Sequence, residues 1–158
     1  MTCTTAVCCM KSEPDFRVCT VEWRDGMETI RRLREEVFIK EQEVPVREEW
    51  DEYDAVSLYV IAVDESGRPL GTGRLSPGGK IGRLAVLREH RRHGIGSAML
   101  KALLEMAKKE GHHTVFLHAQ CQALQFYAKQ GFTAQGPEFM EAGIAHRKMT
   151  LTLSRQAR

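Results

Sequence analysis

Apolar and polar side chains alternate from Phe16 to Trp23, the two-residue period of a half-buried strand. Asp25, with Glu28 three residues on, then predicts a capped helix start. Met27, Ile30, Leu33, Val37 and Phe38 recur at helical spacing and give that helix one core-facing side, until Pro45 stops the pattern. The next apolar block, Val56 to Val63, is dense in β-branched and large residues and predicts a buried strand. Two more strands follow, Leu70–Leu75 and Ile81–Leu87, separated by the turn residues Glu65–Pro69 and Pro77-Gly78-Gly79. Strands joined by such short turns form an antiparallel meander.

A long helix is predicted from about Gly94 to Glu110, with Ile95, Met99, Ala102, Leu103, Met106 and Ala107 as its buried stripe. Lys108 and Lys109 sit where they oppose its dipole, and Gly111 ends it. Thr114–His118 reads as a short strand reached by this crossover, hence parallel to a neighbour. Residues 121–130 read as a helix, and Gly131-Phe132 opens a last strand region that includes His146–Leu153. The order β-α-β-β-β-α-β-α-β predicts an α/β single domain: a mixed, mostly antiparallel sheet flanked by helices.

Composition narrows the class. The chain has 158 residues, 42% hydrophobic and 28% charged, without a repeat or low-complexity tract, which suits one domain over 15–158 after a flexible tail over 1–14. Three of the five cysteines (Cys3, Cys8, Cys9) fall in that tail, with Cys19 and Cys121 further on. No CxxC pair offers zinc-ligand spacing, so no metal is expected, and the odd count suits a reducing compartment. No apolar run approaches the roughly 20 residues that span a bilayer. The expected location is cytoplasmic, without a membrane partner. The stretch Glu41–Asp54 carries seven carboxylates against one arginine and reads as a mobile, solvated acidic loop.

The chemistry concentrates between Arg83 and Ser97. A strand ending Leu84-Ala85-Val86 is followed by a basic turn holding Arg88, Arg91, Arg92 and His93, and then Gly94-Ile95-Gly96-Ser97 opens the long helix. A first helical turn has free N–H groups and partial positive charge, and glycine lets a phosphate approach the backbone. A diphosphate is the expected guest. A Walker loop would need GxxxxGK[ST], which is missing, and a dinucleotide fingerprint would need a third glycine where Met99 stands.

Arg91-Arg92-His93-Gly94-Ile95-Gly96, after Leu-Ala-Val, resembles the acetyl-CoA signature of the GCN5-related N-acetyltransferases (GNAT). Phe126-Tyr127-Ala128-Lys129-Gln130-Gly131-Phe132 resembles the family's FYxxxGF. Leu33–Gln42 with Val44-Pro45, His118-Ala119-Gln120 and Phe139–Met149 are similar to the ElaA/YjcF-like subgroup, so the likeness covers about residues 16–153.

The resemblance implies acetyl-CoA as co-substrate. Arg91, Arg92, His93, Gly94, Ile95, Gly96 and Ser97 would cradle the pyrophosphate, and the edge at Leu84, Ala85 and Val86 would pair with pantetheine amides. It implies direct attack by the amine of a small molecule, amino sugar or peptide, with Tyr127 as proton donor to sulfur. His118 is the candidate base, and Arg34, Glu41, Gln42, Glu141 and His146 are candidate acceptor contacts. Cys121 is a remote candidate nucleophile. A non-catalytic acyl-CoA sensor is the alternative function, ahead of an acyltransferase of the autoinducer-synthase type. Nucleic-acid binding fares poorly, because the Arg88–Arg92 cluster is short and lacks interleaved aromatics. A homodimer is left open.

Overall fold

The computed structural model describes residues 15–154; the predicted tail and its three cysteines lie outside the described residues. Strand β1 (Phe16–Glu22) leads into helix α1 (Trp23–Arg34), which continues as a π-helix over Glu35–Glu41. A short helix α2 (Val46–Glu49) precedes the meander β2 (Leu58–Asp64), β3 (Pro69–Ser76) and β4 (Lys80–Val86). Helix α3 (Ile95–Lys109) crosses to β5 (Thr114–Gln120). Helix α4 (Leu124–Lys129) and the hairpin β6 (Thr133–Glu141) and β7 (Ile144–Thr152) complete the chain.

One seven-stranded sheet runs β1-β2-β3-β4-β5-β7-β6, and only β4 and β5 pair in parallel. Its two faces are covered by different helices. Val60, Ala62, Leu75 and Ile81 face α3 through Met99, Leu100 and Leu103. Tyr59 and Ile61 face α1 through Ile30 and Leu33. Strand β2 is therefore buried on both sides, which is why it reads as an unbroken apolar run. At Gly73 a Cβ would lie 2.8 Å from Leu103 Cδ1 and 2.9 Å from Leu84 Cδ1, so glycine lets α3 press against the sheet.

Three expectations change. The first helix begins at Trp23, not after an Asp25 cap: Glu22 provides no side-chain cap and Asp25 lies in the first turn. Trp23 is drawn into the helix by its ring contacts, 5.4 Å from Tyr59 and 5.5 Å below the Arg31 guanidinium. The last strand region is two strands. They are joined by Ala142 (φ +52°) and Gly143 (φ +76°) between the paired Glu141 and Ile144, the geometry of a type I′ hairpin turn.

The acidic stretch is only partly solvated: Glu41, Glu43, Glu48 and Glu52 are exposed, but Glu49 and Asp54 are buried and Asp51 is half-buried. Arg34, with no exposed surface, donates from Nε to Glu49 Oε1 (2.7 Å) and from Nη1 to Asp54 Oδ1 (2.6 Å). Arg74 Nη1 donates to Asp51 Oδ1 and Asp54 Oδ1, each at 2.8 Å. Arg83 reaches the Glu49 carbonyl (3.0 Å) and Asp51 Oδ2 (3.3 Å). Trp50 covers the set, with Arg34 4.7 Å from its ring centre. Burial alone would raise the Asp54 carboxyl, but Arg34 and Arg74 outweigh it and hold it below the usual carboxylate range. At Glu49 burial wins and the carboxyl is pushed up.

Breaking a buried pair by removing one partner costs about 3–5 kcal/mol, because the other charge stays buried. Arg34→Met should therefore lower Tm by roughly 6–20 °C for a chain of this length. A calorimetric scan showing a shift of only a degree or two would mean that these charges are solvated after all.

Candidate active site

Strands β4 and β5 meet in register at Lys80 and Phe116, with Phe116 N–H donating to Gly79 O at 3.0 Å. Beyond that pair they part. On its other side β4 is bulged against β3: Thr72 pairs with Ala85 but Arg74 pairs with Gly82, so Arg83 and Leu84 face Gly73 alone. Arg83 adopts φ +50°, an uncommon conformation for a non-glycine residue, and the local bend turns β4 away from β5. Strand β5 meanwhile pairs with β7 along its whole length, from Thr114↔Thr152 to Gln120↔His146. Between the diverging strands lies a cleft of about 430 Å³.

Tyr127 enters this cleft from α4 and His118 from β5, while Glu141 and His146 come from the β6–β7 hairpin and Gln42 from the end of the π-helix. Burial pushes the Tyr127 phenol up to about 12, so it remains protonated at any physiological pH. His118 Nδ1 lies 3.3 Å from Glu141 Oε1, and the ring meets Phe139 edge-on at 5.0 Å. With Nδ1–H directed at the carboxylate, Nε2 keeps its lone pair. Burial lowers the His118 pKa, the charge on Lys80 lowers it further, and Glu141 opposes both. The imidazole is thus neutral and able to accept a proton near pH 7. His146 Nε2 stands 3.9 Å from Glu141 Oε2, with its Nδ1 2.6 Å from Ile144 O.

The loop from Arg91 to Gly94 lies beyond the end of β4. Arg92 (φ +67°) and Gly94 (φ +83°) are both left-handed, and residues 92–94 are exposed. The first helical bond of α3 runs from Ala98 N–H to Gly94 O at 3.0 Å, so the N–H groups of Gly94, Ile95, Gly96 and Ser97 have no acceptor within the helix. A Cβ on Gly94 would meet no atom within 4 Å, so the backbone there lies open to a ligand. The loop is pinned by Arg91, whose Nε donates to Val86 O (2.9 Å) and whose Nη1 and Nη2 donate to Glu41 (2.6 Å each). That fork holds the Glu41 carboxyl below its usual range.

A family model described as an acetyltransferase (GNAT) domain matches residues 25–153. The chain belongs to the GNAT family. The uncharacterized N-acetyltransferase YjcF of Bacillus subtilis is 42% identical over 121 residues, covering 74% of this chain and 86% of YjcF. An acyl-CoA N-acyltransferase from Pseudomonas aeruginosa superposes with a TM-score of 0.76 at 26% identity, covering 85% of this chain and 98% of that one. Escherichia coli ElaA has the same fold, with a TM-score of 0.76 at 20% identity and the same coverage. This GNAT chain is an acyltransferase, and the family takes its acyl group from acyl-CoA. The open Gly94 backbone and the free amides of the first α3 turn fit the diphosphate of such a donor. No helix of the described residues is long and apolar enough to cross a membrane.

Two candidate contacts stand corrected. Arg34 faces no cleft, because its guanidinium is sealed into the buried ion-pair network. Glu41 is held by Arg91 of the loop before α3 and is not among the residues that line the cleft. Gln42 does line it, accepting from Gln120 Nε2 at 2.9 Å. The Cys121 thiol is pushed up by desolvation and by Glu138, and the neutral thiol is a poor nucleophile. Sequence reasoning missed Lys80 and Arg83. Lys80 follows an ordinary turn and Arg83 sits in an ordinary strand pattern, so only the parting of the strands reveals them.

The electrostatics yield a direct check. In a proton NMR titration the His118 ring should change charge below pH 6.5, the ordinary imidazole value. Glu141→Gln removes a carboxylate that favours imidazolium and should move the midpoint lower still. A midpoint that rises in that variant would show that Glu141 does not act on His118.

Proposed function

We propose that the chain transfers an acetyl group from acetyl-coenzyme A to the amine of a small molecule or peptide by direct attack. The parting of β4 and β5 carries this reading. It leaves the β5 side of Leu84–Val86 without a strand partner, between the loop at 91–97 and a cleft lined by Tyr127 and His118. An unpaired edge hydrogen-bonds extended ligands as it would a strand. The pantetheine arm therefore runs along β4, with the pyrophosphate on the amides of residues 91–97.

The chemistry follows from the residues in reach. His118, neutral and steered by Glu141, removes a proton from the amine. The nitrogen lone pair forms a bond to the thioester carbon, and the carbon–sulfur bond breaks with its electron pair leaving on sulfur. Tyr127 faces that sulfur. Its phenol lies about 3–4 units above an ordinary thiol, so it stabilises the thiolate by a hydrogen bond more readily than by complete proton transfer. The β4 edge amide of Val86 or Ala85, whichever points toward the cleft, binds the carbonyl oxygen as it gains charge.

Three measurements test this. Acetyl-CoA should raise Tm, as any ligand selective for the native state does, by about 2.7 kcal/mol of added stability at 100 times its Kd. Gly94→Val should remove that shift while the free protein still folds, since the added Cβ meets open space and the left-handed backbone costs on the order of 1–2 kcal/mol. A shift of undiminished size would mean that the phosphates bind elsewhere. In thiol-release assays with a panel of amines, Tyr127→Phe should preserve acetyl-CoA binding and lower kcat by about 10- to 100-fold, a typical scale for one lost transition-state hydrogen bond. An unchanged kcat would leave Tyr127 a packing residue. His118→Ala should lower kcat by about 100-fold or more and abolish the acid limb of the pH profile. A surviving limb would assign the base elsewhere.

A further inference from the structure

Lys80 opens β4 at the closed end of the cleft, where β4 and β5 last pair. It is half-buried and lines the cleft, and among the described residues its side chain makes no hydrogen bond or ion pair. Its charge is felt by Glu141, Arg83 and His118, which line the cleft with it, and by Arg74 and Asp51 of the ion-pair network behind. The other cation of the lining, Arg83, is already engaged by Glu49, Asp51 and the Glu48 and Glu49 carbonyls. A partly buried ammonium with no fixed partner is costly unless something neutralises it.

We propose that the acceptor carries a carboxylate as well as its amine, and that Lys80 binds the carboxylate. The proposal rests on the acetyl-transfer reading for the amine end. Lys80 pairs with Phe116, two residues before His118 on the neighbouring strand, so roughly 8 Å separates their backbones, and an amine at His118 leaves the far end of a small molecule beside Lys80. One ammonium matches one negative charge. Glu48, Glu49 and Glu141 line the same cleft and would oppose the second charge of a phosphate. Small amino acids with a short spacer between amine and carboxylate meet these conditions.

The test uses α-, β- and γ-amino acids, each compared with its own amide, and measures their affinity for the coenzyme A-loaded protein by calorimetry. The expected result is an affinity at least 10-fold higher for one of the acids than for its amide. Lys80→Met should erase that gap and Lys80→Arg should retain most of it. The acid-to-amide ratio cancels any effect of Lys80 on His118 that is common to both ligands. Equal affinities in the unaltered protein, or a gap that survives in Lys80→Met, would overturn the proposal. A Lys80-dependent gap without thiol release from acetyl-CoA would uphold the carboxylate site and defeat the acetyl-transfer reading. Thiol release with acids and amides alike, without a gap, would do the reverse.

Discussion

The parallel pairing of β4 with β5 is held at one residue pair and then abandoned, and the functional architecture depends on that interruption. Parallel neighbours normally continue their ladder, since every unpaired N–H and C=O left without water costs free energy. Here the bulge at Arg83-Leu84 bends β4 away, and β7 satisfies β5 on its other side. What remains is a strand edge open to solvent in the middle of a sheet. Edges of this kind attract extended chains. In this protein the opening is lined by Tyr127 of α4 and by residues at the end of the π-helix and of α2.

The buried charges form one wall of the cleft, to which Glu49 and Arg83 both contribute. Arg34, Arg74 and Arg83 arrive from α1, β3 and β4, and the carboxylates that meet them come from one acidic segment. An apolar core in that place could be as stable. The ionic version also fixes where the segment lies, since each guanidinium accepts a narrow range of geometries. Glu48 and Glu49 line the cleft, so the network that anchors α2 also shapes the acceptor side. The Arg91–Glu41 fork does the same for the loop before α3, tying it to the end of the π-helix.

The sequence was most informative where the physics is local. Strand alternation in β1, the apolar run of β2 and the stripe of α3 depend on neighbours a few residues apart, and each lies where its period placed it. The glycine-opened turn was legible for the same reason, because Gly94 and Gly96 stand at a strand-to-helix junction. The β6–β7 turn was not: Ala142 in a left-handed conformation gives none of the Asn-Gly signal that usually marks a type I′ hairpin. The acidic stretch misled because its partners lie 15 to 34 positions away, and local composition cannot distinguish a solvated charge run from a buried network. Tyr127, His118, Glu141 and His146 were named individually by resemblance; that they share one cleft with Lys80 is a property of the sheet.

The charges along β4 are arranged in order. At the start of the strand Lys80 supplies a positive charge at the closed end of the cleft; past its end, the amides of α3 and the loop arginines supply another in open solvent. Between them stand Tyr127, protonated, and His118, whose basicity burial lowers, while the cation in between, Arg83, is already held by Glu49 and Asp51. In the proposed reaction a donor with a diphosphate at one end would be drawn to the loop, where solvated phosphates cost little to hold. An amine arriving from the other side would meet Glu141 and Glu48, which line the cleft, and then His118, whose lowered basicity suits it to take a proton at the reaction point. Deprotonation would thereby be confined to the place where the thioester lies, and a low dielectric there would strengthen each interaction that the transition state makes.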